Sequence, residues 1–224
     1  MKYRNKLLTL LVCLMLGSPA VQATEKEVRT YEQLDKAVVS PGQETPAVVE
    51  FFSFYCPPCY AFSQSFGVDK AIRESLPAGK SMVKYHTGFL GSLGPDLTRA
   101  WSLAMVLGIE EKVEPLVFDA LQVTRTLNKP EDIRAVFEKA GVSGKEYDRM
   151  INSPEVQAMT AEQEQLFKTY GVTSTPSVYV DGKYRIKNSA IQGENVEDFR
   201  NKYVAVVDEL LKKSETTPEK KTGN

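Results

Sequence analysis

The chain has 224 residues, 42% hydrophobic and 25% charged, which is room for one ordinary domain or for one domain carrying a sizeable insertion. With a formal net charge of −1, no broad basic surface argues for nucleic-acid binding. No convincing internal repeat divides the sequence.

Lys2, Arg4 and Lys6 precede the apolar run Leu7–Gly17, which is too short to span a membrane as a helix. Small residues then lead to a cut after Ala23. Residues 1–23 read as a secretory signal rather than as an anchor. Val12 before Cys13 is not the small residue that lipid attachment wants. The signal holds three of the 28 basic residues and none of the 29 acidic ones, leaving 25 against 29. Only two of the three cysteines then remain, Cys56 and Cys59.

Thr45–Tyr55, β-branched and aromatic, predicts a buried strand. Pro57 and Pro58 fit only at the opening of a helix, where backbone N–H groups have no partners to lose. That helix is predicted to run to about Leu76, and Lys80–Gly88 forms a second strand, parallel to the first. Helices follow over Asp96–Gly108, Glu110–Leu121, Pro130–Ala140, from the Ser143/Glu146 capping pair, and from Ser153-Pro154 to about Tyr170. Asp181-Gly182 between "TPSVYV" and "KYRIK" signals a hairpin. A last amphipathic helix spans roughly Glu194–Lys213, and Ser214–Asn224 is polar and expected to be disordered. Without the middle helices a β-α-β plus β-β-α core is left, an α/β thioredoxin-like fold with an inserted all-helical domain. The expected parts are 24–88 and 166–213 for the thioredoxin-like domain and 89–165 for the insertion.

Cys56-Pro57-Pro58-Cys59 sits where a strand hands over to a helix. Unpaired N–H groups and the positive end of the helix dipole favour thiolate there, so the pKa should fall below the free value of about 8.5. Cys56, at the first position, is the better placed and more exposed nucleophile. Cys59, one turn in, resolves the mixed disulfide. A zinc site would need more ligands than this pair and the single histidine, His86, and haem attachment wants a histidine where Tyr60 stands. A structural staple remains open, although so short a loop removes little chain entropy. No metal and no cofactor is expected.

"EFFSFYCPPCY" (Glu50–Tyr60) resembles the active-site stretch of the periplasmic DsbA-type thiol–disulfide oxidoreductases. "KYH" (Lys84–His86), "DLTRAW" (Asp96–Trp101), "DIRAVFEKAG" (Asp132–Gly141) and "VDGKY" (Val180–Tyr184) are similar to that family in the same order. The C-P-P-C pair looks like that of a paralogous branch in enteric bacteria. The resemblance implies a periplasmic, monomeric disulfide donor acting on unfolded or extended exported proteins, reoxidised by a DsbB-like, quinone-linked membrane partner. It implies that Thr175-Pro176 is a cis pair facing the cysteines, with substrate binding beside it. It also implies that Glu50 is a buried acid beneath the disulfide with Lys84 as its basic neighbour, able to exchange a proton with Cys59. His86 reads as structural.

The best-known members carry C-P-H-C. Pro58 in place of that histidine removes an N–H and a neighbouring imidazolium from Cys56, so a less oxidising pair and a more rigid turn follow. Two alternatives stay open. One is a reductase or isomerase on the same dithiol, although no dimerisation segment of the isomerase kind is expected before the fold. The other is a binding or chaperone module whose disulfide is only structural.

Overall fold

The computed structural model describes residues 29–39 and 45–216. The signal segment with Cys13 and the tail from 217 onward lie outside the described residues. Five strands form one sheet: β1 (Tyr31–Gln33), β2 (Val48–Phe52), β3 (Met82–His86), β4 (Ser177–Val180) and β5 (Tyr184–Ile186), in the order β1-β5-β4-β2-β3. β2 pairs parallel with β3, with Glu50 opposite Lys84, and antiparallel with β4. The β4–β5 turn has Asp181 at φ 50° and Gly182 at φ 61°, the doubly positive geometry that two-residue hairpins prefer. β1, absent from the sequence reading, pairs antiparallel with β5.

Eight α-helices accompany the sheet among the described residues: α1 (Pro57–Tyr60), α2 (Val68–Ser75), α3 (Gly94–Leu107), α4 (Glu110–Phe118), α5 (Pro130–Lys139), α6 (Gly144–Met150), α7 (Pro154–Thr169) and α8 (Val196–Thr216). Ser143 Oγ accepts the Glu146 N–H at 3.2 Å and Ser153 Oγ accepts the Val156 N–H at 3.4 Å, fixing the starts of α6 and α7. Between β2 and β3 the expected single helix is broken. A π-helical turn over Ala61–Ser65 closes with Phe66 N–H on the Ala61 carbonyl, and Gly67 at φ 62° redirects the chain into α2. A second correction concerns the C-terminal segment, because Ser214, Glu215 and Thr216 continue α8. Ser214 Oγ bonds the Asp181 carboxylate at the hairpin, which anchors that last turn.

The alternation of β2 sorts the core. Val49 and Phe51 pack with Tyr85, Tyr170 and Tyr179 on one face. Val48, on the other, joins Val178, Val180, Ile72, Tyr203, Val207 and Leu210 from the sheet, α2 and α8. Phe52 and Phe54 reach the helical cluster and meet Trp101 at ring distances of 5.1 and 5.7 Å. Trp101 Nε1–H donates to the Lys84 carbonyl at 2.8 Å, tying α3 to the edge of the sheet. Burying such side chains stabilises the fold by about 1.5–3 kcal/mol each. The boundary expected at 165/166 falls inside α7, which runs unbroken.

Candidate active site

Ser53–Tyr55 leave the sheet and turn into α1, whose N-cap is Cys56. Cys56 N–H donates to the Ser53 carbonyl at 3.0 Å and Tyr55 N–H to Ser53 Oγ at 3.3 Å. Phe54 N–H donates to His86 Nε2 at 3.2 Å, so that nitrogen is the acceptor and Nδ1 carries the proton, 2.8 Å from Thr98 Oγ1. Burial alone pushes the His86 pKa down to about 3. The imidazole is therefore a neutral brace for the loop.

Cys56 and Cys59 form a disulfide across one helical turn, with Cα atoms 5.2 Å apart. Cys59 N–H donates to Cys56 Sγ at 3.2 Å and to the Cys56 carbonyl at 3.0 Å. Pro57 and Pro58 are exposed and contribute no donor. The first-position sulfur thus relies on the N–H of Cys59, the nearest residue of the helix that has one. Cys56 keeps 4% of its surface exposed and Cys59 none. Cys56 Sγ lies 3.4 Å from the Thr175 carbonyl oxygen.

The Thr175–Pro176 peptide bond is cis. Its loop is held from both sides. Ser177 Oγ donates to the Ser174 carbonyl at 2.7 Å. Asn188 Nδ2 donates to the Pro176 carbonyl at 2.8 Å, and Asn188 Oδ1 accepts from the Tyr203 hydroxyl, also at 2.8 Å.

Glu50 and Lys84 meet in the interior, 0% and 3% exposed, with Lys84 Nζ 3.4 Å from Glu50 Oε2. Two further carboxylates take the lysine more closely, Asp69 Oδ2 at 2.6 Å and Glu114 Oε1 at 2.5 Å. Among the described residues neither Glu50 oxygen has a hydrogen-bond partner. Burial raises the Glu50 pKa to about 7. Lys84 opposes this, and Asp69 and Glu114 add to it. Burial works against the Lys84 charge, but Glu50, Glu114 and Asp69 together hold its pKa above the ordinary value.

Sequence reasoning missed Asp69, Glu114 and Gln122. Asp69 and Glu114 read as ordinary helix-surface acids, since nothing local reveals that α2 and α4 turn them inward. Gln122, in the π-helical turn Asp119–Val123, donates through Nε2 to the Phe54 carbonyl at 2.6 Å and to the Cys56 carbonyl at 3.2 Å. It is the clasp between the helical layer and the cysteine loop. Gln122→Ala should lower stability by roughly 1 kcal/mol, read as a lower denaturant midpoint. An unchanged midpoint would mean that water satisfies both carbonyls equally well.

A thioredoxin-like sheet with a disulfide at a helix start, facing an X-Pro loop, defines a thiol–disulfide oxidoreductase. The profile of the DSBA-like thioredoxin domain matches residues 47–204, and the chain belongs to that family. The thiol:disulfide interchange protein DsbA of Pectobacterium carotovorum subsp. carotovorum is 43% identical over 209 residues, 93% of this chain and 99% of its own length. That of Escherichia coli K12 is 37% identical over 210 residues, again 93% and 99%. Among solved structures, SrgA of Salmonella enterica serovar Typhimurium matches with a TM-score of 0.77 at 55% identity, covering 81% of this chain and 98% of that one. A cysteine-to-serine variant of Proteus mirabilis DsbA, solved with the non-covalently bound peptide PWATCDS, gives 0.78 at 38% identity, covering 83% and 97%. The protein is a thiol–disulfide interchange enzyme, and its redox pair is Cys56–Cys59.

Proposed function

We propose that the enzyme works in the periplasm as a disulfide donor to newly exported, unfolded or extended proteins. The observation that carries this reading is the oxidised pair itself. Cys56 is the less buried sulfur and accepts the Cys59 N–H, an arrangement that stabilises a thiolate and with it the reduced enzyme. A disulfide whose reduced form is stabilised is readily given away.

In the proposed cycle a substrate thiolate attacks Cys56 Sγ, the Cys56–Cys59 bond breaks, and Cys59 leaves as a thiolate. Glu50, carrying a proton, protonates Cys59. A second substrate thiolate then attacks the substrate sulfur of the mixed disulfide and releases Cys56 as a thiolate. Two substrate thiols become one disulfide and the enzyme becomes a dithiol, so two electrons pass to the protein. A DsbB-like, quinone-linked membrane oxidant takes those electrons and closes the cycle.

Substrate chain is proposed to lie beside Thr175 and Pro176. Both are half-buried, and the half-buried Tyr55, Tyr60 and Leu90 with the exposed Pro57 and Pro58 supply apolar surface. That the Proteus mirabilis relative binds a cysteine-containing peptide non-covalently supports a peptide ligand. Residues 89–165 act as the helical layer that braces the cysteine loop through Gln122. Mixing the oxidised protein with a reduced, unfolded two-cysteine substrate tests the direction. Disulfide should appear in the substrate as the enzyme pair becomes reduced, and a pair that stays oxidised would overturn the reading.

Pro58 tunes the pair by withholding a donor. Pro58→His restores an N–H and an imidazole beside Cys56, so the Cys56 thiol pKa should fall and the reduction potential should rise. The thiolate absorbance and glutathione equilibria of the variant measure both. If neither moved, Pro58 would have no part in setting the potential.

A further inference from the structure

Four ionisable side chains share the interior below the active-site helix: Glu50 of β2, Lys84 of β3, Asp69 of α2 and Glu114 of α4, each at most 5% exposed. Arg73 of α2 reaches Asp69 at 3.6 Å from a more exposed position, and the buried hydroxyl of Tyr203 on α8 feels the Glu50 charge. Three carboxylates therefore compete for one fully buried cation. They do not share it equally. Asp69 and Glu114 hold Lys84 Nζ at 2.6 and 2.5 Å, while Glu50 stands at 3.4 Å.

The remaining donors follow the same division. Ser63 Oγ donates to Glu114 Oε1 at 2.8 Å and Lys70 N–H to Asp69 Oδ1 at 2.8 Å. Glu50 receives none from the described residues. A buried ionised carboxylate without a protein donor is the most costly of the three, so the cluster's proton belongs on Glu50. The arrangement also touches the redox helix. Ser63 stands one helical turn beyond Cys59 and contacts Glu114 directly.

We propose that Asp69 and Glu114 are positioning residues for disulfide exchange: by drawing Lys84 away from Glu50 they keep the Glu50 carboxyl protonated and ready to serve Cys59. The proposal rests on the proton-donor role given to Glu50 above and specifies what sustains it. When Cys59 leaves as a thiolate, the proton moves from the Glu50 carboxyl to Cys59 Sγ. The new Glu50 carboxylate is then stabilised by Lys84, 3.4 Å away, until solvent returns a proton. Asp69 and Glu114 also add negative charge, which raises the proton affinity of Glu50 in the resting enzyme.

Asp69→Asn and Glu114→Gln, singly and together in the oxidised full chain, test this by NMR titration of the Glu50 carboxyl carbon. The signal is assigned by its loss in Glu50→Gln. Each single variant should let Lys84 move toward Glu50 and lower its titration midpoint. The double variant should lower proton affinity at least about tenfold, one pH unit. The pH profile of reduction by dithiothreitol should shift in the same direction. A merely structural role for the two acids would lower stability without moving either midpoint. If Glu50 titrates unchanged in both single variants, the positioning role is wrong, whatever the double variant's stability. If Glu50→Gln leaves the pH profile of exchange unaltered, the proton-donor reading fails instead, and the two failures are told apart.

Discussion

The Cys56→Ser variant is expected to lose disulfide exchange down to the uncatalysed background, whereas Cys59→Ser should stop turning over while trapping a partner. The asymmetry follows from position. Cys56 caps the helix with 4% of its surface open, and Cys59 lies one turn inside with none. A lone Cys56 can attack a disulfide from outside, and without Cys59 no internal thiolate reverses the mixed disulfide it forms. A lone Cys59 has no approach, and the Cys59 N–H serves the sulfur of residue 56 rather than its own. Incubation with oxidised glutathione followed by mass spectrometry separates the two. A stable adduct should build up on Cys59→Ser and not on Cys56→Ser. Equal labelling of both variants would remove the assignment of Cys56 as nucleophile.

Lys84→Met should be the most destabilising single change in the interior, by about 3–5 kcal/mol at neutral pH and above. The lysine is the buried cation among Glu50, Asp69 and Glu114, and Arg73 pairs with Asp69 from a more exposed position. Removing it strands buried negative charge without its partner. The pH dependence has a definite sign. Glu50 titrates near 7 in the folded protein against an ordinary value of 4.5, and the loss of Lys84, which lowers it, would raise it further. Between 4.5 and about 7 both folded proteins hold a Glu50 proton that the unfolded chain has released, so both gain stability alike as pH falls. Above about 7 wild-type Glu50 has ionised, while the variant still holds its proton and goes on losing stability as pH rises. The defect should therefore grow as pH rises above neutrality. Denaturation of both proteins from pH 6 to 9 measures it. A defect that is constant across this range would mean that the loss of Lys84 does not raise the proton affinity of Glu50.

Much of this architecture was legible because local chemistry and fold agree. The apolar run before Cys56 is β2, and the two prolines can only open a helix. Asp181-Gly182 dictates its hairpin, and Ser143 and Ser153 announce their helices. What stayed hidden depends on distant partners or on departures from a regular period. β1 has three residues and is defined only by its pairing with β5. The break at Gly67 lies within a stretch whose composition suits one continuous helix, because the π-turn before it is set by packing rather than by pattern. The site divides in the same way. Cys56, Cys59 and Thr175-Pro176 announce themselves by motif. Glu50 was visible as an acid within an apolar strand. Asp69, Glu114 and Gln122 acquire meaning only when α2, α4 and the following π-turn close over the strand ends.

The reduction potential of Cys56–Cys59, taken from equilibria in glutathione buffers on protein lacking residues 1–23, tests disulfide donation most directly. A potential well above that of thioredoxin, about −270 mV, is the predicted result and means that the pair gives its disulfide to exported proteins. A potential at or below thioredoxin's would contradict donation and assign the same dithiol to reduction.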